Sequence, residues 1–202
     1  MKIAVVGHGN VGGILASVWA PNHNVMIGAR NQESEKLKKL KKNPELKFTS
    51  ISEAVSTAEV ILVATPADSA VELIETMGDL SGKVIIDSTN SVRSKPEPYP
   101  TAFHAFKDLT TAEVVKCFNT TGFENMANPN YGAMSIDMFM AGSDPKAKEA
   151  AKKLAIDAGF AQCYDFGDDG KVELLEQMAL GWINLAIMQG MGRDIAFKVL
   201  KR

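Results

Sequence analysis

Three glycines near the start of the chain have the spacing of a phosphate-binding turn. They stand at positions 7, 9 and 12 of the stretch IAVVGHGNVGG, residues 3–13. The first glycine permits a tight turn, the second lets the backbone approach a pyrophosphate, and the third lets a helix pack closely on a strand. Free amides at the start of that helix would face the negative charge. We therefore predict a dinucleotide cradle made of Gly7, His8, Gly9, Asn10, Val11 and Gly12.

The stretch VMIGARN, at the end of the second predicted strand, carries a cation in place of an acid. A carboxylate at this point would accept hydrogen bonds from ribose hydroxyls and would repel a 2′-phosphate. Arg30 instead offers a planar donor fork that matches phosphate, with Ser34 and Lys36 as further candidates. We therefore predict NADP as the cofactor, bound through Ala29, Arg30 and Asn31. The alternative is that Arg30 only covers the edge of the sheet.

Polar residues also follow three later apolar runs, in the stretches ATPADS, DSTNS and CFNTTG. Ligands bind outside the carboxyl ends of strands in this architecture, so these stretches are candidates for a nicotinamide pocket. Asn119 is the strongest candidate, because a polar residue after so apolar a strand must be satisfied by some partner. Helix capping is the competing explanation for such residues. The pocket residues that we predict are Thr65, Pro66, Ala67 and Asn119.

No residue in the sequence has the placement of a catalytic proton donor. Reduction of a carbonyl requires one near the nicotinamide, and the three histidines are poorly placed for that role. His8 lies in the glycine turn, His23 precedes the second strand, and His104 falls in a proline-containing loop, where it could face a planar acceptor. No GxSxG motif and no metal-ligand spacing is present. A flavin or deazaflavin ring takes hydride directly and needs orientation and a dry pocket instead of a strong acid.

The elements that must position these residues alternate between short apolar strands and helices. Continuously apolar strands between helices are typical of a parallel sheet covered on both faces, which predicts a doubly wound, Rossmann-type α/β fold. We also predict a helix over residues 145–158, a strand over 161–165 and a long final helix from Val172, interrupted at Gly190 and Gly192. Residues 90–110 form the one long irregular stretch and are interpreted as a functional loop.

Composition limits the class of protein. The chain has 202 residues, of which 46% are hydrophobic, so we predict a single domain over residues 1–202. A net charge of −2 gives no reason to expect a nucleic-acid partner. Two cysteines make a disulfide framework improbable, and no apolar run is long enough to cross a membrane. We therefore expect a cytoplasmic protein with no membrane contact.

Several stretches together resemble the NADP oxidoreductases that depend on the deazaflavin coenzyme F-420. They are KIAVVGHGNVGG, IGARN, DSTN, VVKCFNTTGFENMANP, MFMAGSDPKAKEAAKKLAIDAGF and LLEQMALGWINLAIMQGMG. The cytosolic domain of the six-transmembrane metalloreductases, which passes electrons from NADPH to flavin and ferric iron, is similar around GARN and FNTTG. The resemblance implies NADPH bound across residues 7–12 and Arg30, with the nicotinamide near Thr65, Pro66 and Asn119. The family often has Ser where Ala29 stands, and His where Asn119 stands.

These observations predict hydride transfer between NADPH and a small acceptor, which could be a flavin, a deazaflavin or a ferric chelate. A noncatalytic NADP-binding sensor would use the same cradle. A β-hydroxyacid-type dehydrogenase could use Lys171 but would need Asn at position 175, where this chain has Leu. The apolar final helix, rich in methionine, leads us to expect a homodimer.

Overall fold

The computed structural model describes residues 1–92 and 94–202. Its strands, in chain order, are β1 Lys2–Val6, β2 Asn24–Gly28, β3 Lys47–Thr49, β4 Val60–Val63, β5 Val84–Asp87, β6 Glu113–Cys117, β7 Asn130–Tyr131, β8 Met134–Ser135, β9 Met138–Ala141 and β10 Cys163–Asp165. Its helices are α1 Asn10–Trp19, α2 Glu35–Leu40, α3 Ile51–Thr57, α4 Ala70–Met77, α5 Ala102–Leu109, α6 Phe123–Ala127, α7 Pro145–Asp157 and α8 Val172–Ile183.

The main sheet has the strand order β10-β9-β6-β5-β4-β1-β2-β3, and β7 pairs with β8 in a separate hairpin. Among the described residues, β9 pairs antiparallel with β6, and the other pairings in the main sheet are parallel. The prediction of a mostly parallel Rossmann-type sheet is confirmed. After β1 the chain runs outward to β2 and β3, and then returns to place β4 on the other side of β1. The crevice at this change of direction is where α/β sheets bind ligands.

The strands are buried on both faces because helices cover the sheet on each side. One apolar layer lies under α1 and α7, where the indole of Trp19 donates a hydrogen bond to the carbonyl of Leu154, at 2.9 Å. The other lies under α3, α4 and α5 and includes Phe103 and Phe106. Central strands such as β4, with the sequence VILV, are therefore apolar at every position instead of alternating.

The end of the chain differs from its prediction. Helix α8 continues as a π-helical turn over Asn184–Met188 and ends there, so the glycines that follow do not interrupt a longer helix. Gly190 and Gly192 both have positive φ, at 70° and 85°, which a helix cannot continue through. The segment after Met188 has no helix or strand, and Trp182 anchors it by donating a hydrogen bond to the carbonyl of Ile195, at 2.7 Å.

The predicted loop over residues 90–110 is shorter than expected, because α5 occupies its second half. The prolines that precede α5 led to the prediction of a loop. Phe103 and Phe106, three residues apart, are both buried on one face of α5, which is the spacing of a helix. His104 is therefore a helical residue, and its Nδ1 lies 2.8 Å from the hydroxyl of Thr101. In the part of the chain that the structure describes, no helix has both the length and the apolar character needed to span a bilayer.

Candidate nucleotide-binding site

The turn between β1 and α1 requires glycine at two positions. Gly7 has a φ of 102°, and a Cβ atom there would lie 2.5 Å from the carbonyl oxygen of Ala64. A Cβ atom at Gly12 would lie 1.9 Å from the carbonyl oxygen of Gly7. Both glycines are thus fixed by close backbone packing. At Gly9 a Cβ atom would meet no atom of the described chain within 4 Å, so the backbone there faces open space.

Helix α1 begins directly above this turn, with Gly9 as its N-cap residue. No side chain caps the helix, and its first turn contains no acidic residue. The backbone ladder starts with the bond from the amide of Gly13 to the carbonyl of Gly9, at 2.9 Å, so the preceding amides have no intrahelical partner. A ten-residue helix with uncapped amides beside an open glycine is suited to bind a pyrophosphate.

A cavity of about 460 Å³ opens beside the glycine turn. It runs between the ends of β1, β2 and β4 and the start of α4. Eight of the residues predicted from the sequence line it: Gly7, His8, Gly9, Ala29, Arg30, Asn31, Thr65 and Pro66. The sequence did not single out its apolar walls, Ile51 and Leu73, or its polar residues Ser69, Glu72 and Thr76.

Five predicted site residues lie outside the lining of this cavity. Asn10 is exposed at the start of α1, while Val11 packs against the core and Gly12 contacts Gly7. Ala67 is buried at the start of a short 3₁₀ turn, and Asn119 lies beyond the end of β6, two strands from β4. The cavity thus brings together the cradle and the end of β2. The direct roles of these five residues stay predictions.

The cavity carries opposed charges at its outer end. The Arg30 guanidinium donates a hydrogen bond from Nη1 to Oε1 of Glu72, at 2.9 Å, and Lys36 is the other cation of the lining. His8 lies deeper, with Nε2 at 2.8 Å from the hydroxyl oxygen of Ser34. Burial, and then the charge of Lys36, lower the pKa of His8 below its ordinary value, so the ring is neutral at pH 7.

The predicted nicotinamide pocket contains side-chain atoms without partners. Asn119 donates hydrogen bonds from Nδ2 to Oδ1 of Asn90, at 3.1 Å, and to the carbonyl of Leu175, at 3.3 Å. Asn90 in turn donates to the carbonyl of Asn119, at 3.1 Å. Within the described residues, Oδ1 of Asn119 and Oγ1 of Thr65 are buried and have no hydrogen-bond partner. Such atoms are uncommon in folded proteins, and a bound ligand would account for them.

A buried lysine lies at this end of the sheet, and its partners were not predicted from the sequence. Lys116, on β6, donates to Oδ2 of Asp87, at 2.9 Å, to Oε1 of Glu176, at 2.6 Å, and to the carbonyl of Thr89, at 2.7 Å. All three of its N–H donors are therefore used. Burial acts to lower the pKa of Lys116, but the two carboxylates outweigh it and raise that pKa above its ordinary value.

The same carboxylates hold the loop that follows β5. Oδ1 of Asp87 accepts from the amide of Thr89, at 2.9 Å, and Oε2 of Glu176 accepts from the amide of Ser91, at 2.8 Å. Asn90 lies between these two anchored residues. The lysine within the apolar run VVKCF was the available signal, since a lysine is almost never fully buried without partners. We call Lys116, Asp87 and Glu176 the buried triad.

Lys171, the candidate base of a β-hydroxyacid-type dehydrogenase, lies at the other end of the sheet. Because β9 runs against β6, and β10 is parallel to β9, the turn after β10 is near the amino end of β6. Asp169, in that turn, accepts from the amide of Ser143, at 2.6 Å, and Asp144 accepts from the amide of Val114 at the start of β6. Lys171 is therefore remote from the cradle.

The described residues fit a dinucleotide better than a metal ion. Four features suit NADP(H): the uncapped helix, the open backbone at Gly9, the cation at the end of β2, and the unpartnered oxygens of Asn119 and Thr65. Across residues 1–92 and 94–202, no group of three or more His, Cys, Asp or Glu side chains is arranged to hold a metal.

The first part of the chain matches a known family model. Residues 2–91 match the model of the NADP oxidoreductases that depend on coenzyme F-420. The resemblance to that family is confirmed. The matched segment is less than half of the chain, and it contains the cradle, Arg30 and Glu72 but neither Lys116 nor Glu176. The description of that family names NADP and oxidoreductase chemistry, which agrees with the cofactor and the reaction type predicted from the sequence.

Solved structures with the same fold cover the whole chain. A protein from Arthrobacter sp. FB24, provisionally described as an F-420-dependent NADP reductase, is 25% identical, with a TM-score of 0.86 and full coverage of both chains. A hypothetical protein from Sinorhizobium meliloti is 22% identical, with a TM-score of 0.74 and coverage of 100% of this chain and 96% of that one. The latter likeness shows the fold alone.

An imine reductase variant from Myxococcus stipitatus, in complex with NAD⁺, is 15% identical, with a TM-score of 0.68. The match covers 94% of this chain but 63% of the imine reductase. This chain therefore spans less than two thirds of that enzyme's length, and the likeness is one of fold.

Proposed function

We propose that this chain binds NADPH in the cavity beside the glycine turn and transfers hydride to a flavin-like or deazaflavin acceptor. The observation that carries the proposal is the continuity of the cavity, which joins the open backbone at Gly9 to the guanidinium of Arg30. The first feature suits a pyrophosphate and the second a 2′-phosphate. An NADP molecule presents both groups at the same time.

Each part of the cavity has a role in this proposal. The uncapped amides of α1 bind the pyrophosphate, and Arg30 with Lys36 binds the 2′-phosphate. Ile51 and Leu73 give the adenine an apolar slot. NADPH, when bound, supplies the hydride. Oδ1 of Asn119 and Oγ1 of Thr65 are the available acceptors for the N–H groups of the carboxamide.

The choice of acceptor rests on the proton donors among the described residues. His8 is neutral and belongs to the phosphate turn, and His104 pairs with Thr101 on α5. Lys116 uses all its N–H groups inside the buried triad. An alcohol-forming reduction would need a positioned acid, whereas a flavin or deazaflavin ring accepts hydride without one. A ferric chelate would then receive electrons from the reduced flavin.

The test is to mix the protein with NADPH and follow the loss of reduced-nicotinamide absorbance. FMN, FAD, riboflavin, deazaflavin and a ferric chelate are offered separately, each with a protein-free control. Turnover with one of the ring acceptors supports the proposal. Tight NADPH binding with no turnover for any acceptor would favour the noncatalytic sensor, and no binding would remove both functions.

We also infer that the exposed apolar face of α8 and the turn after it pairs two copies of the chain. The support is a set of exposed large apolar side chains along α8 and the segment that follows it: Leu174, Leu180, Ile187, Met188 and Met191. Met178, in contrast, is partly buried and packs against the core. Light scattering that gives the monomer mass at micromolar concentration would remove this inference.

A further inference from the structure

Glu72 lies on the first turn of α4, and its carboxylate is bonded to the residue that we assign to the 2′-phosphate. Arg30 and Glu72 are 66% and 68% exposed, so packing fixes neither side chain. We propose that Glu72 determines dinucleotide specificity, because it competes with a 2′-phosphate for Arg30 and offers an acceptor to a ribose 2′-hydroxyl. This inference rests on the proposed binding of NADPH in the cavity.

The first step concerns charge. The charged residues that line the cavity are Arg30, Lys36 and Glu72, and His8 is neutral. A 2′-phosphate, like other phosphomonoesters, carries a charge of about −1.5 to −2 at pH 7. To bind Arg30, the phosphate must either displace the carboxylate of Glu72 or share the guanidinium with it. An exposed ion pair is weak enough to open, but a like charge left beside the phosphate still opposes binding.

The second step concerns the carboxylate that the end of β2 lacks. Proteins that bind NAD place a carboxylate at the end of the second strand to accept hydrogen bonds from the ribose. Here that position is occupied by Gly28, Ala29 and Arg30. Glu72 supplies a carboxylate to the same place from a different element, 42 residues further along the chain. The cavity therefore holds a cation for a phosphate and an acceptor for a hydroxyl.

The consequence is a site that accepts both dinucleotides with a modest preference for the phosphorylated one. When NADPH is bound, Arg30 turns from the carboxylate to the phosphate. When NADH is bound, Arg30 keeps its partner, and Glu72 can accept from the 2′-hydroxyl with its second oxygen. Removal of the carboxylate charge should therefore strengthen the binding of NADPH without strengthening the binding of NADH.

The experiment measures the dissociation constants of NADPH and NADH, by nucleotide fluorescence, for the wild-type chain and for Glu72→Gln. We expect NADPH to bind about three- to tenfold more tightly to the variant, as for loss of one nearby like charge, and NADH to bind equally or more weakly. Glu75→Gln is the matched control, since Glu75 is exposed on the same helix and does not line the cavity. It should change neither constant.

Three outcomes would overturn the inference. The ratio of the two constants could stay unchanged in Glu72→Gln, both dinucleotides could shift equally, or Glu75→Gln could produce the same shift. In each of these cases the wild-type chain still binds NADPH and the proposed function survives. If the wild-type chain binds neither dinucleotide, the proposed function fails and this inference fails with it.

Discussion

Lys116 of β6 and Glu176 of α8, 60 residues apart in the chain, form a buried ion pair with 2.6 Å between Nζ and Oε1. The lysine comes from the carboxyl-terminal half of β6 and the carboxylate from α8. Through its second oxygen, Glu176 also holds the amide of Ser91. The pair therefore connects the last helix to the loop that carries Asn90, in the predicted nicotinamide pocket.

Glu176→Gln should lower the free energy of unfolding by about 1–3 kcal/mol, because the neutral amide weakens a charge-assisted bond and cannot accept as well from Ser91. Glu176→Leu should lower it further, by about 3–5 kcal/mol, since it breaks a buried ion pair. Urea denaturation measures both. Glu173→Gln, an exposed acid on the same helix, is the control. Equal effects at positions 173 and 176 would contradict a structural role for the pair.

Gly9→Ala and Gly12→Ala should separate binding from folding. A Cβ atom at position 9 meets no neighbour, so Gly9→Ala should fold normally and weaken NADPH binding about tenfold or more, because the methyl group occupies the approach of the pyrophosphate. A Cβ atom at position 12 would overlap the carbonyl of Gly7, so Gly12→Ala should lower stability by about 1–3 kcal/mol or more. Thermal unfolding and NADPH titration of both variants test this. Normal NADPH affinity in Gly9→Ala would argue against the cradle.

Arg30→Ala should weaken NADPH binding by about 1–3 kcal/mol through loss of a charge-assisted bond, and should weaken NADH binding much less. Isothermal titration with each dinucleotide measures the difference. Lys39→Ala removes one exposed positive charge from α2, outside the cavity lining, and controls for long-range attraction. Equal weakening of NADPH and NADH in Arg30→Ala would remove the 2′-phosphate role.

His8 should make stability depend on pH. Its folded-state pKa is lower than the ordinary value of 6.5, so the unfolded chain binds more protons between the two values. The stability that the neutral ring contributes is present above pH 6.5 and is lost as the pH falls through the folded-state pKa. The difference in unfolding free energy between the wild type and His8→Gln should therefore be larger at neutral than at acidic pH. A difference that does not change with pH would show that burial of His8 has no such effect.

The sequence correctly predicted those features that depend on neighbouring residues. The glycine spacing located the turn at residues 7–12, and the apolar runs located the central strands, because both follow from backbone requirements of neighbouring residues. Arg30 was found in the same way, since it comes directly after a strand. The residues that the sequence missed have non-local partners: Glu72 reaches Arg30 from α4, and Lys116 reaches Glu176 across the sheet.

Strand direction was the other limit. An apolar run predicts a strand but not its direction. The sequence therefore predicted strands at β9 and β10 but did not predict that they are antiparallel to β6. That reversal decides the position of Lys171, which the sequence connected only with the alternative of a β-hydroxyacid-type dehydrogenase. In the same way, the periodicity of α5 is short and follows several prolines, and His104 was assigned to a loop for that reason.

The position of Glu176 in the chain also has a consequence for synthesis on the ribosome. The glycine cradle emerges before β6 and α8, and its turn needs only neighbouring residues of β1, α1 and β4. Lys116 and Asp87 can pair once β6 has emerged, but the loop after β5 has no carboxylate for the amide of Ser91 until α8 follows. The nascent protein would thus complete the glycine turn before the loop that carries Asn90, and a chain stalled before α8 would have the glycine turn but an unanchored loop after β5.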